Sequence, residues 1–525
     1  MLPVGPLARA AAASALALAF VGLVVVLYYL STRSFRANSD AASTLLQGQS
    51  MAGGNFGLRG WRLSLDSFWL SDTVFYALFV AVLGVKAKIL YLMPAAVAAL
   101  AVYLGMYLAG TGHARWPGWS GALTVFALLG LPSSFLAPKL LASPVHVVTA
   151  LWCLAAFACV RRLRFDWRFA LAVGLIGVAT VSDLVALAIG IVPLFLAGLA
   201  AMARARSMRA GAVPVAAAAG GAVTSLALRA LASQVGWLAM ASRQHAAKMA
   251  RVANNVPLMF HYTFDVFGIG TSAPVRGHAP AALELVHVMA LVVGVALLVA
   301  VIRLAHGVLR REPSSAGLEA SFLDDVLLIA TCGSAASFLG LTVRSVPAEA
   351  RYLLPGLIFS SVLAGRFVAG LAERVPAGRP RRGLQVGGLV AVLAFAAGVG
   401  YDLDVPVPRT PYPQIAKFLV AHHLHDGLAD YWTAAIVTVD SDDRVSVRPV
   451  SAVRGKIYPT LKDNSDVNWY QGARFTYLVY SPRAVFDGVR KRTAERTWGR
   501  PARIYHVAGY LVMIWHHSLR FEGSA

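Results

Sequence analysis

Cysteine is scarce in this chain of 525 residues, and the three present, Cys153, Cys159 and Cys332, all fall inside apolar stretches. None can staple an exposed domain and none has metal-ligand spacing, so they read as small core residues. Charge is scarce too: 14% of residues are Asp, Glu, Lys or Arg, where soluble domains carry about a quarter. Acids are the rarer sign, 25 against 47 basic residues. A Walker-type phosphate loop is missing, which argues against an ATP-driven pump. No clear internal repeat of the kind frequent in transporters is visible.

What fills the chain instead is apolar, with 58% hydrophobic residues and a mean hydropathy of +0.64. Repeated apolar stretches of about twenty residues, each able to cross a roughly 30 Å hydrocarbon core, predict a polytopic α-helical membrane protein. A net charge of +22 would suggest nucleic acid in a soluble protein. Here the basic clusters RRLRFDWR (161–168), RARSMR (204–209), RLAHGVLRRE (303–312) and RVPAGRPRR (374–382) lie between apolar runs. That is the distribution of cytoplasmic loops, so no nucleic-acid partner is expected. The first run, 7–30, is too long for a signal-peptide core and reads as an uncleaved signal anchor with its N-terminus in the cytoplasm.

The basic clusters also set the topology. Runs at 169–182 and 184–203 form a hairpin whose tip, TVSDL (180–184), points outward. A span at 211–237 leads to an outer segment, 239–280, and further spans follow at 281–302, 322–343, 352–372 and 384–400. The chain then emerges outside at Tyr401. Before residue 161 the candidates are the first helix and runs at 68–85, 89–109, 120–138 and 145–160. Five is odd although both ends should be inside, so one is re-entrant, interfacial or merged with a neighbour. The run 68–85 and the Pro-broken GLPSSFLAP (130–138) are the suspects. The expectation is about eleven spans in a membrane domain covering 1–400, with an outer loop at 31–67.

Residues 401–525 change character and predict an extracytoplasmic α/β domain, large enough to bury its own core. DSDD (440–443) separates AAIVTV from RVSVRPV, and both flanks alternate as strands do, which predicts a hairpin. RFTYLVY (474–480) and RIYHVAGYLVMIW (503–515) read as further strands, while 414–424 and 484–496 have helical spacing. Any chemistry is expected on the outer face, because the cytoplasmic side offers only short basic loops.

Three carboxylates stand in or beside the first outer loop: Asp40, Asp66 and Asp72. Asp72 sits at the start of an apolar stretch, where a charge is costly unless it faces a partner or a wet cavity. Ordinary helix capping is the plain alternative for Asp66 and Asp72, and a solvated loop residue is the plain reading of Asp40. Arg351 falls at an outer boundary, where it either grips a phosphate in two hydrogen bonds or snorkels to headgroups. Arg344 is a weaker candidate for the same task. In 239–280 the residues Arg243, His245, Lys248, Arg251 and His261 either line an anion site or form a solvated amphipathic face. His146 and Asp183 lie on the outer side if the odd candidate resolves that way. His422, His423 and His425 place only two rings on one helical face, poor spacing for a metal.

Three stretches carry a family resemblance. Ser39-Asp40-Ala41 follows the first helix and continues to Gly60–Trp61; AEARYLLPGLIF (348–359) opens a late helix; HDGLADYWTAAIVTVDSDDRVSVRPV (425–450) begins the outer domain. In this order they resemble the GT-C superfamily of integral-membrane glycosyltransferases, which includes protein O-mannosyltransferases and lipid A aminoarabinose transferases. The resemblance implies a polyprenyl-phosphate sugar as donor, an inverting transfer, and a lipid, glycan or protein acceptor outside the cytoplasmic membrane. It implies Asp40 as catalytic base and Arg351 near the lipid phosphate; beside these, Tyr352, Asp66, Asp72, His146 and His261 stand as candidates for substrate contact. The second acid of the family motif is missing, alanine standing in its place. No cofactor is therefore assigned, and a divalent cation stays open only through Asp66 or Asp72 folding back to compensate. The Ala-, Arg- and Gly-rich composition suits a bacterial inner membrane. A lipid-linked-sugar flippase and a non-catalytic assembly protein on the same scaffold are the rival readings.

Overall fold

The computed structural model describes residues 6–64, 66–113, 115–239, 249–266, 290–309, 315–340, 347–376, 378–461, 464–483 and 486–521. Among them, seven helices are long and apolar enough to cross a membrane: Ala10–Ser34, Ile89–Gly110, Leu187–Ala205, Met208–Gln234, Gly317–Gly340, Glu349–Arg374 and Arg379–Asp404. Shorter apolar helices cover Trp69–Leu83, Gly118–Gly130, Val147–Val160, Trp167–Ser182 and Val292–His306. The two stretches that disturbed the parity are both interrupted. Trp69–Leu83 begins with a π turn behind Phe68 in the left-handed region. At about 1.5 Å per residue it reaches roughly 22 Å, short of a roughly 30 Å hydrocarbon core. The helix ending at Gly130 gives way to irregular chain through GLPSSFLAP before the single turn Ala137–Leu140. Proline at 132 cannot continue a helical hydrogen-bond ladder.

The chain divides into two compact units. The first comprises Met1–Phe35, Pro94–Leu228 and His245–Val407. Its helix Leu354–Arg374 is buried along most of its length. Helix Arg115–Val125 approaches it so closely that a Cβ on Gly121 would lie 2.6 Å from the Gly365 carbonyl, and one on Gly365 equally close to Gly121. Two adjacent acids on helix Ser315–Gly340 tie neighbours together. Asp325 takes both terminal nitrogens of Arg204, and Asp324 accepts from Arg366 Nε at 2.5 Å. Arg366 also donates to the carbonyls of Leu108, Thr111 and Ala320. Buried charges are costly at such depth unless they are paired and hydrogen-bonded, as these are.

The second unit comprises Arg36–Met93, Arg229–Gln244 and Pro408–Ala525. Its strands are β1 (Trp61–Arg62), β2 (Asp426–Ala429), β3 (Ser446–Val453), β4 (Lys456–Pro459), β5 (Ser465–Asp466), β6 (Phe475–Tyr480), β7 (Arg503–Val507) and β8 (Tyr510–Leu519). Six form one sheet in the order β4-β3-β2-β6-β8-β7, and β1 pairs with β5 separately. β2 runs parallel to both β3 and β6, and the other pairs are antiparallel. From Tyr477 onward alternate residues of β6 face opposite cores, and a register shift between Phe475 and Tyr477 puts Phe475 on the side of Leu478. Phe475, Leu478 and Tyr480 pack with Trp498 and Trp515; Tyr477 and Val479 pack with Ile415, Leu419, Ala434 and Val437. Helices thus cover both faces: Tyr412–Ala421 and Tyr431–Asp440 on one, Lys491–Trp498 on the other.

The hairpin expected around DSDD does not form. AAIVTV lies in helix Tyr431–Asp440, and only RVSVRPV contributes a strand. Parallel strands β2 and β3 require a crossover rather than a tight turn, and this helix is the crossover. Its residues Thr433–Val439 are all buried, so the run lacks the one-sided period that would have marked it as a helix.

Candidate functional site

Within the second unit the polar centre is Asp40. The chain leaves the first helix at Ser34 and restarts at Ser39, where Asn38 caps helix Ser39–Ala52 by accepting from the Ala41 amide. This cap places Asp40 in the first turn, where backbone N–H groups and the helix dipole favour a carboxylate. The expected outer loop therefore contains a helix, and ten of its residues are buried. Helix Val74–Leu83 packs on it at Gly48, where a Cβ would lie 2.7 Å from Tyr76 Cβ.

The side chain of Asp40 is met from the C-terminal part of the chain. Tyr431, first residue of the crossover helix, donates its hydroxyl to Asp40 Oδ1 at 2.6 Å. Asn464 Nδ2 lies 3.3 Å from the Tyr431 oxygen, and Gln47 Nε2 donates to Asn464 Oδ1 at 3.1 Å. Thr73 Oγ1 in turn reaches Gln47 Oε1 at 3.4 Å. The same two regions are joined by Gln49 to Asp443 at 2.6 Å and by Lys86 to Asp442 at 3.0 Å. Tyr431 takes a further bond through its backbone N–H to Asp487 Oδ2 at 3.2 Å. Beside it, burial pushes Asp430 up to about 6, with the charge of Asp487 adding to the effect and a hydrogen bond from Thr433 opposing it.

Asp66 and Asp72 are buried in the same unit. Asp72 does not cap its helix: Phe68 holds the N-cap position, and Asp72 lies inside the opening turn.

The first unit holds a second cluster. His146 precedes helix Val147–Val160, and Asp183 ends helix Trp167–Ser182. His146 Nδ1 lies 2.7 Å from Asp183 Oδ2, which also accepts from Thr149 Oγ1 at 2.6 Å. Asp183 Oδ1 takes the Val185 amide at 3.0 Å. Both side chains are buried, with exposures of 1% and 0%. The His146 ring packs on Tyr352, centroids 4.6 Å apart, and the Arg351 guanidinium lies 5.2 Å from the Tyr352 ring centre. The result is a ladder of carboxylate, imidazole, phenol and guanidinium. Arg351 and Tyr352 belong to the 3-10 turn Pro347–Leu353, on which helix Met249–Val266 packs. That helix carries His261, whose ring meets Tyr262 at 5.4 Å. Arg344, Arg243, His245 and Lys248 lie outside the described residues.

Sequence reading named Asp40, His146, Asp183, Arg351 and Tyr352 but not Tyr431, Asn464, Gln47 or Thr73. Tyr431 had a signal, since it stands in the quoted GLADYWTA stretch. Nothing in the sequence pairs the others, since Gln47 meets Asn464 across 417 residues of chain.

Helices long and apolar enough to span a membrane, followed by a C-terminal α/β region, make up a fold that solved structures share. The solved structures it resembles include ArnT from Cupriavidus metallidurans in the apo state, with a TM-score of 0.55 at 14% identity over 96% of this chain and 98% of that one. The same ArnT bound to undecaprenyl phosphate gives 0.55 at 14% identity, covering 95% and 98%. An Archaeoglobus fulgidus oligosaccharyltransferase tethered with an acceptor peptide is more distant, 0.42 at 11% identity, covering 88% of this chain and 68% of that one. No protein-family model and no curated protein sequence matches the chain.

Proposed function

We propose that this chain is a membrane glycosyltransferase. It moves a sugar from a polyprenyl phosphate to an acceptor hydroxyl on the outer face of a bacterial cytoplasmic membrane, with the C-terminal α/β domain outside. The observation that carries the reading is Asp40, fixed at a helix start by the Tyr431 hydroxyl, in a fold that ArnT shares and in which ArnT binds undecaprenyl phosphate.

In this mechanism the acceptor oxygen attacks the anomeric carbon as the bond from that carbon to the phosphate oxygen breaks. Asp40 takes the acceptor's proton, which a hydroxyl of high pKa releases only as the new bond forms. The departing phosphate keeps the electron pair, and Arg351 stabilises the charge that develops on it. Tyr352 and the His146–Asp183 pair, grouped with Arg351 in the first unit, are further candidates for the donor's phosphate. Attack opposite the leaving group inverts the anomeric centre. A lipid-linked donor suits an outward site, where nucleotide sugars are unavailable.

Vesicles supplied with a polyprenyl-phosphate sugar test this. Asp40→Asn should lower transfer by roughly 10²–10⁴-fold while expression is retained. Unchanged transfer would remove Asp40 as base, and movement of the lipid-linked sugar without transfer would favour a flippase.

A further inference from the structure

We infer that Tyr431 is a positioning residue for the base, held in place by a one-way chain of donors that runs Thr73, Gln47, Asn464, Tyr431, Asp40. The inference rests on the reading of Asp40 given above and extends it to the groups that hold Asp40 in place.

The direction of the chain follows from its end. An ionised carboxylate only accepts, so Tyr431, 2.6 Å away, must spend its one hydrogen on Asp40. The Tyr431 oxygen then accepts, which requires Asn464 to present its NH2 group. The carbonyl side of Asn464 therefore faces Gln47, which must present its own NH2 group. Gln47 is left to accept from Thr73, whose hydroxyl donates. Each amide is set by the one before it, and no member can reverse alone.

Burial enforces the order. Gln47 is 1% exposed, Thr73 is fully buried and Asn464 is 8% exposed. Turning either amide would set two donors or two acceptors face to face without water to relieve them. The Tyr431 hydroxyl supplies the Asp40 carboxylate with a donor at 2.6 Å. It also fixes the rotamer of a half-buried side chain at a helix start. During transfer the tyrosine keeps its proton. Asp40 alone takes the acceptor's, so the step stays balanced without a second acid in the motif.

The chain joins the helix after the first span to residues near positions 431 and 464, so the C-terminal region contributes to the base. Tyr431→Phe preserves the ring and deletes the donor. It should lower kcat by roughly 10–100-fold, the range for a hydrogen bond to a charged group, and leave the KM for the lipid-linked donor unchanged. Asn464→Ala should cost several-fold alone and nothing further in the Tyr431→Phe background, because it acts through Tyr431. Thermal midpoints of Asp40→Asn, Tyr431→Phe and the double variant give a readout free of activity, and non-additive shifts are expected.

Additive midpoints, or a Tyr431→Phe protein with wild-type kcat, would overturn the inference and leave Asp40 as base. If the unaltered protein transfers no sugar while the midpoints stay coupled, the proposed function fails. The Tyr431 bond is then structural, and the positioning role falls with it.

Discussion

Asp430 and Asp440 bracket the crossover helix, and burial shapes both. Asp440 is pushed up to about 7 by desolvation, with the charge of Asp442 adding to it, and Asp430 to about 6. Both folded-state values lie above the unfolded value near 3.9. The protonated acids are therefore favoured in the native state, and their stabilising contribution is complete below about pH 4. It is lost as pH rises through about 6 for Asp430 and about 7 for Asp440. Asp440→Asn, which mimics the protonated acid, should match the wild-type thermal midpoint near pH 4 and exceed it at pH 8. The difference at pH 8 is on the order of a few kcal/mol at most. A gap independent of pH would show that Asp440 is not held neutral in the fold. Asp40 itself was legible only through its motif: the residues around it describe a polar loop, and the Tyr431 hydroxyl that meets it comes from 391 residues further along the chain.

Among elements, helix Ser315–Gly340 shows how adjacent residues organise a bundle. Asp324 and Asp325 stand next to each other in SFLDDVLL and reach Arg366 and Arg204 on two different helices. The pair around Asp325 is nearly enclosed, with side-chain exposures of 3% and 4%. Asp325→Ala would leave Arg204 buried without its counter-charge, a loss of about 3–5 kcal/mol. Detergent-solubilised protein should show this as a clear fall in thermal midpoint. The double variant Asp325→Leu/Arg204→Leu should recover most of it, since an apolar replacement of a buried pair is often neutral. A single variant with an unchanged midpoint would contradict the buried pairing. Sequence showed two acids in an apolar run but not which cations they meet, because both partners lie far away in the chain. The crossover helix teaches the complementary lesson. AAIVTV has the β-branched, fully apolar look of a strand, and the parallel pairing of β2 with β3 overrides that preference.

For the whole molecule, the second unit is assembled from three separate segments. Residues 36–93 supply helix Ser39–Ala52, strand β1 and Lys86, which bond to Tyr431, Asn464, Asp442, Asp443 and β5. A fragment covering 408–525 alone would keep the six-stranded sheet and both of its cores. It would lose the partners of Tyr431, Asn464 and the DSDD turn. Its amides in 431–443 and 464–470 should exchange hydrogen faster than in the full-length protein, while those of β6 and β8 stay protected. Equal protection in both would mean that the C-terminal region is independent of the segment after the first helix.

The sequence by itself determined the solvent and the class of architecture. Spacing of apolar runs and of basic clusters depends on local composition alone, and a hydrocarbon core admits few answers to it. It also determined most strands of the sheet, whose period of two is written in RFTYLVY and RIYHVAGYLVMIW. Only the tertiary structure decided that the AAIVTV run is a helix, that His146 meets Asp183, and that Tyr431 donates to Asp40. Each of those depends on groups brought together from separate parts of the chain, and a buried polar atom takes whichever partner the packing delivers.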